Sequence, residues 1–250
     1  MMFDWTFFAL AIPAVIFAGV SKAGFASGAA FAATPLLALV LSPGEALGLM
    51  LPLLMVMDVT ALRPYWGKWH WPSARALILG SLPGLALGAL IYHLADPDFF
   101  RLLIGVVAIS FVLWQVARRA GWIAIRPRPL GPGVGLAAGA VAGFTSFVSH
   151  AGGPPAAIYL LAQGLGKTAF QATTVIVFWA INLLKFIPFL FLGIFTRDTA
   201  VGVAMLAPFA ILGAVLGVRA HHLVPERVFF GLTYVLLSMT GAKLIWDALT

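Results

Sequence analysis

A 250-residue chain that is 62% hydrophobic and only 9% charged cannot be a water-soluble domain, which needs roughly a quarter of its residues charged to cover its surface. The net charge of +7 would suit nucleic acid only if it clustered on one solvated face, and here it is scattered through short loops between apolar runs, so no nucleic-acid partner is expected. With no cysteine, disulfides, thiolate metal sites and iron–sulfur ligation are excluded. The remaining class is a multi-pass membrane protein, consistent with a mean hydropathy of +1.04.

The N-terminus, Met1 to Trp5, lacks the positive region of a secretory leader. It reads as the start of a mature membrane segment whose apolar run Pro13, Gly19 and Lys22 interrupt. A span takes about 20 apolar residues. The first half offers runs near 3–19, 24–41, 44–63, 73–94 and 98–117, and the second near 132–147, 151–164, 168–195, 199–218 and 227–249. The runs flanking Lys22 and His150 are short, so each half opens with a broken pair: two short helices, or a re-entrant hairpin.

Between the halves, residues 118–131 form a linker rich in arginine and proline (Arg118, Arg119, Arg126, Arg128, Pro127, Pro129). The positive-inside rule makes this linker cytoplasmic, together with the loop of Arg63, Lys68 and Arg75 and the segment of Arg219, His221, His222 and Arg227. The acidic loop Asp96-Pro97-Asp98 is then external, and so are both termini. Each half makes an odd number of net crossings, so the halves (1–117 and 132–250) run antiparallel. Trp66, Trp69, Trp71 and Trp122 read as interfacial anchors, and His221-His222 as a solvated pair.

The halves also resemble each other. Gly19 and Gly28 fall 124 residues before Gly143 and Gly152, and Ala32-Ala33-x-x-Leu36-Leu37 matches Ala156-Ala157-x-x-Leu160-Leu161. Gly67 pairs with Gly193, and Pro83 and Gly88 with Pro208 and Gly213, at nearly the same offset. The expected fold is therefore all-α and polytopic, with two inverted repeats. Each repeat contributes a broken pair plus three transmembrane helices, giving 8–10 membrane segments. In secondary transporters of this kind the substrate sits at the breaks.

The break Gly19 to Gly28 carries Ser21, Lys22 and Gly24, where glycine allows close backbone approach and Lys22 supplies positive charge at membrane depth. The second break carries Thr145, Ser146, Ser149 and His150, then Gly152, Gly153 and Pro154 at a new helix N-terminus. Free N–H groups and the helix dipole favour an anion there. Asp58, Asn182 and Lys185 lie in corresponding third runs and line the same cavity if the repeat holds. Asp58 reads either as an ion-pair partner of a lysine or as a proton carrier. No metalloprotease, nucleotide-loop or nucleophile-elbow motif and no metal-ligand spacing occurs, so neither enzyme chemistry, metal nor cofactor is expected.

Ser21-Lys22-Ala23-Gly24-Phe25, and His150-Ala151-Gly152-Gly153-Pro154-Pro155 running to Tyr159-Leu160-Leu161, resemble the TauE/SafE sulfite-exporter family across essentially the whole chain. The first motif departs from the family's GxGGG form, reading Gly24-Phe25-Ala26-Ser27-Gly28. The resemblance implies a secondary transporter in the bacterial inner membrane that exports a small sulfur-containing anion, sulfite or an organosulfonate such as sulfoacetate. An anion channel is the first alternative, and a membrane enzyme using His150 with Asp58 or Ser149 the second. The partners expected are that anion, the lipid bilayer and, for an oligomer, a second copy in a homodimer.

Overall fold

The computed structural model describes residues 3–24, 29–123, 128–220 and 226–250, which are helix and turn with no strand among them. Phe25 to Gly28 of the first break, Arg126 and Pro127 of the linker, and His221-His222 lie outside the described residues. The helices are α1 (Trp5–Gly24), a 3-10 turn (Ala29–Ala32) leading into α2 (Ala33–Leu37), α3 (Pro43–Tyr65), α4 (Trp71–Leu94) and α5 (Pro97–Arg119). The second half gives α6 (Pro132–Ser149), α7 (Gly153–Ala162), α8 (Lys167–Phe191), α9 (Arg197–Ala220) and α10 (Glu226–Leu249). Among the described residues, seven helices are long and apolar enough to cross a membrane. The protein is an all-α polytopic membrane protein.

Local chemistry sets where helices begin. Ser42 and Glu45 form a reciprocal capping box at α3, Asp96 accepts from Phe99 N–H at 2.7 Å at α5, and proline occupies the first turn of α3 to α7. Gly67 after α3 and Gly193 after α8 both take positive φ, 73° and 66°. The left-handed turn closing these two helices is one that glycine adopts without steric cost.

α1 is one continuous helix through Gly19, Lys22 and Gly24, which corrects the expectation of a break starting at Gly19. The reason is tertiary. A Cβ on Gly19 would lie 2.7 Å from Ala214 N, and one on Gly217 would lie 2.6 Å from Val20 O. These glycines let α1 and α9 touch backbone to backbone, as small residues do in membrane helix pairs. Gly80, Gly84, Gly139 and Gly143 do the same for α4 and α6. The broken pairs are therefore not pairs of two short helices. Each is a long helix followed by a short one: α1 then α2, and α6 then α7. The 10 residues of α7 span about 15 Å, half of a hydrocarbon core of about 30 Å.

Cross-contacts give the helix directions. Phe3 just before α1 and Ile16 and Val20 within it meet 202, 213 and 217 of α9 in the same order, and 76, 80 and 84 of α4 meet 135, 136 and 140 of α6 likewise, so both pairs run parallel. Tyr65 Oη donates to Ala23 O at 3.1 Å and Gln171 Nε2 to Lys22 O at 3.0 Å. The ends of α1 and α3 and the start of α8 therefore share one side. The opposite side gathers the end of α6 with the start of α3, through His150 and Leu47 O at 3.2 Å. Arg63, Lys68, Arg75, Arg118, Arg119, Arg128, Lys167 and Arg219 all fall on the first side, whereas Asp4, Glu45, Asp96, Asp98, Asp198 and Asp247 fall on the second.

Candidate functional site

Lys22, in the last turn of α1, points its ammonium at the middle of α3, where Asp58 Oδ1 lies 3.0 Å away; Asp58 is 0% exposed and Lys22 11%. The other carboxylate oxygen, Oδ2, accepts from Asn182 Nδ2 of α8 at 2.7 Å. Asp58 and Asn182 are themselves 124 residues apart. The offset that relates the glycines of the two halves thus also relates these two bonded residues.

One turn farther along α8, Lys185 is fully buried. Its ammonium has three acceptors: Ser146 O at 2.9 Å, Ser146 Oγ at 3.1 Å and His150 Nδ1 at 2.6 Å. Three donated bonds match a protonated amine, and Nδ1 accepts only from a neutral imidazole. The remaining proton of that ring is then on Nε2, which donates to Leu47 O. His150 caps α6 in the left-handed region, with φ of 57°, and the bonds to both ring nitrogens hold it there. Lys22 sits at the C-terminal end of α1, and the Lys185 ammonium reaches that of α6, where the helix dipole favours a cation.

Between these groups lies a cavity of about 40 Å³ lined by Ser21, Lys22, Ala30, Phe31, Leu54, Ser146, His150, Gly153, Thr174, Phe178 and Asn182. A single water needs roughly 10–15 Å³ measured this way, so the space suits a few waters or one small polyatomic ion. The Ser21 hydroxyl is buried and without a hydrogen-bond partner among the described residues. Gly153 opens α7 toward the cavity, and Pro154 and Pro155 behind it carry no N–H. The Lys22 ammonium also lies 5.6 Å from the centre of the Phe178 ring. The ionisable groups here are two lysines and one carboxylate inside an apolar bundle.

The family model described as Sulfite exporter TauE/SafE matches residues 11–244. The chain belongs to that family. No curated protein and no solved structure gives a significant match. As a TauE/SafE member with multiple apolar helices, the protein is a membrane transporter of the sulfite-exporter type.

Of the residues singled out in the sequence, Ser21, Lys22, Ser146, His150, Gly153 and Asn182 line the cavity, and Asp58 and Lys185 stand directly behind it. Four others lie elsewhere. Gly24 packs against Gly217 of α9. The Ser149 hydroxyl donates to Thr145 O at 3.3 Å, and Gly152 packs near Phe178 and Ala142 O. The Thr145 hydroxyl donates to Val141 O at 2.8 Å and lines an apolar groove of about 570 Å³ between α5, α6 and α7, on the far side of α6. Sequence reasoning missed Thr174 and Phe178. Their signal was spacing, since Thr174, Phe178 and Asn182 recur every four residues and so share one face of α8.

Proposed function

We propose that the protein is a secondary transporter that exports a small sulfur-containing anion, sulfite or an organosulfonate such as sulfoacetate, across the bacterial inner membrane by alternating access. The observation that carries this is the excess positive charge beside the cavity. Lys22 has Asp58, but Lys185 has only neutral acceptors, and an uncompensated buried cation is costly in lipid. An anion in the cavity neutralises it. Lys22, Ser21 and Gly153 line that space, and the Ser21 hydroxyl has no hydrogen-bond partner among the described residues.

A two-state carrier is supported by the helix directions. α1 runs opposite to α6, α3 to α8 and α4 to α9, as inverted repeats require, and a short helix follows the first long one in each half. The arginine-rich side is cytoplasmic by the positive-inside rule, which leaves both termini periplasmic. The enzyme alternative loses support because both His150 nitrogens and the Ser149 hydroxyl are engaged in structural bonds.

A thermal-shift screen of the purified protein against sulfite, thiosulfate, sulfate, taurine, sulfoacetate and isethionate tests this reading. A ligand at a hundred times its Kd stabilises by about 2.7 kcal/mol, and Lys22→Ala removes the shift. Stabilisation by none of the six anions, or an unchanged response in Lys22→Ala, overturns the assignment.

A further inference from the structure

Lys22 faces two ways, and that carries a consequence for coupling which rests on the anion-transport reading above. Among the described residues it is the one ammonium that lines the cavity, and the same ammonium is the ion-pair partner of a fully buried carboxylate, Asp58, at 3.0 Å. An anion that enters the cavity competes with Asp58 for it. The other buried amine cannot substitute, because its three protons are spent on Ser146 O, Ser146 Oγ and His150 Nδ1. Asp58 losing Lys22 while still charged would be a buried carboxylate whose one bond is to the neutral Asn182 amide.

We propose that each anion is carried together with one proton, held on Oδ1 of Asp58 while Lys22 turns to the anion. The carboxylate takes the proton from the aqueous side to which the cavity is open, and no other bond is made or broken. Oδ2 remains a carbonyl oxygen and keeps accepting from Asn182 Nδ2, so the same scaffold serves both protonation states. On release the anion leaves, Lys22 returns to Oδ1 and the proton goes to water.

The groups facing Asp58 are Lys22 from α1 and Asn182 and Lys185 from α8, with His150 beyond Lys185 at the end of α6. The charged residues of α9, which also packs on α3, lie at its ends as Arg197, Asp198 and Arg219. The charge balance has a physiological reading. The empty site holds Lys22, Lys185 and ionised Asp58. The loaded site holds both lysines, a monoanion and neutral Asp58, and the two sums are equal. Transport of a monoanion is then electrically neutral, and an inward proton gradient opposes export until the internal anion accumulates. Such a carrier works as a relief valve.

The test is calorimetric titration of the intact purified protein with isethionate and thiosulfate, neither of which titrates near neutral pH. Two buffers of different ionisation heat are used. Uptake of one proton per anion is expected from the difference in heat, with affinity falling about tenfold per pH unit as pH rises, the slope that one linked proton requires. Asp58→Asn binds without that uptake and with affinity independent of pH. Binding with equal heats in both buffers overturns proton coupling while the anion site stands. Uptake that persists in Asp58→Asn overturns Asp58 as the carrier, and binding of neither anion overturns the anion reading itself. If Asp58→Asn does not fold, the wild-type buffer comparison decides on coupling alone.

Discussion

The two broken pairs share a scaffold and differ in charge. α1 with α2 and α6 with α7 each place a long helix against a helix of the other half, along seams of glycine, and each brings its C-terminal end to the cavity. At the 124-residue offset, however, Lys22 corresponds to Ser146 and Asp58 to Asn182. The first half puts an ion pair where the second puts a hydroxyl and an amide. Lys185 answers this from a position whose first-half counterpart is Ala61. Halves related by this offset in sequence therefore hold different side chains at the site, with one ammonium lining the cavity and the other bonded to Ser146 and His150 behind it.

The sharpest way to break this comparison is to remove the acid. Asp58→Ala leaves Lys22 buried without its partner and should destabilise the protein by about 3–5 kcal/mol, read as thermal unfolding in detergent. The double variant Lys22→Met/Asp58→Leu should be less destabilised than Asp58→Ala, since an apolar pair replaces a pair rather than orphaning one member. If the single variant proves as stable as the parent, the ion pair is not the feature that distinguishes the halves.

The shared scaffold makes the next prediction. Gly19→Ala and Gly143→Ala should each cost about 1–3 kcal/mol, because both glycines meet backbone of the partner helix. Gly133→Ala has nothing within 4 Å of the new methyl and should change stability by less than about 1 kcal/mol, in the favourable direction. Unequal losses at Gly19 and Gly143 would show that the two seams are not equivalent.

Most of the fold is legible in hydropathy. The runs at 44–63, 73–94 and 98–117 became helices 43–65, 71–94 and 97–119, because in lipid a long apolar stretch has no alternative to the helix. The continuity of α1 was not legible. Gly19 and Gly24 read as breakers on local propensity, yet their missing side chains serve the α9 contact, and only the tertiary partner reveals that. The polar residues of the site announced themselves as rare charges in apolar runs, as at Lys22, Asp58 and Lys185. Which hydroxyl turns inward was hidden, since it depends on helix rotation at the break.

That rotation yields the smallest effect and the finest test. Ser21 and Thr145 occupy the same position in the two halves at the 124-residue offset. Ser21 lines the cavity with no hydrogen-bond partner among the described residues, whereas Thr145 is bonded to α6 carbonyls and faces the outer groove. A hydrogen bond to a charged group is worth about 1.5–3 kcal/mol, so Ser21→Ala should weaken anion binding at least about tenfold. Thr145→Val keeps the shape of the groove wall and should change affinity by less than about twofold, within the roughly 0.5 kcal/mol expected of a remote substitution. Equal losses in the two variants would mean that both breaks present their hydroxyls to the ligand during the transport cycle. The asymmetry would then belong to one state of the carrier and not to its chemistry.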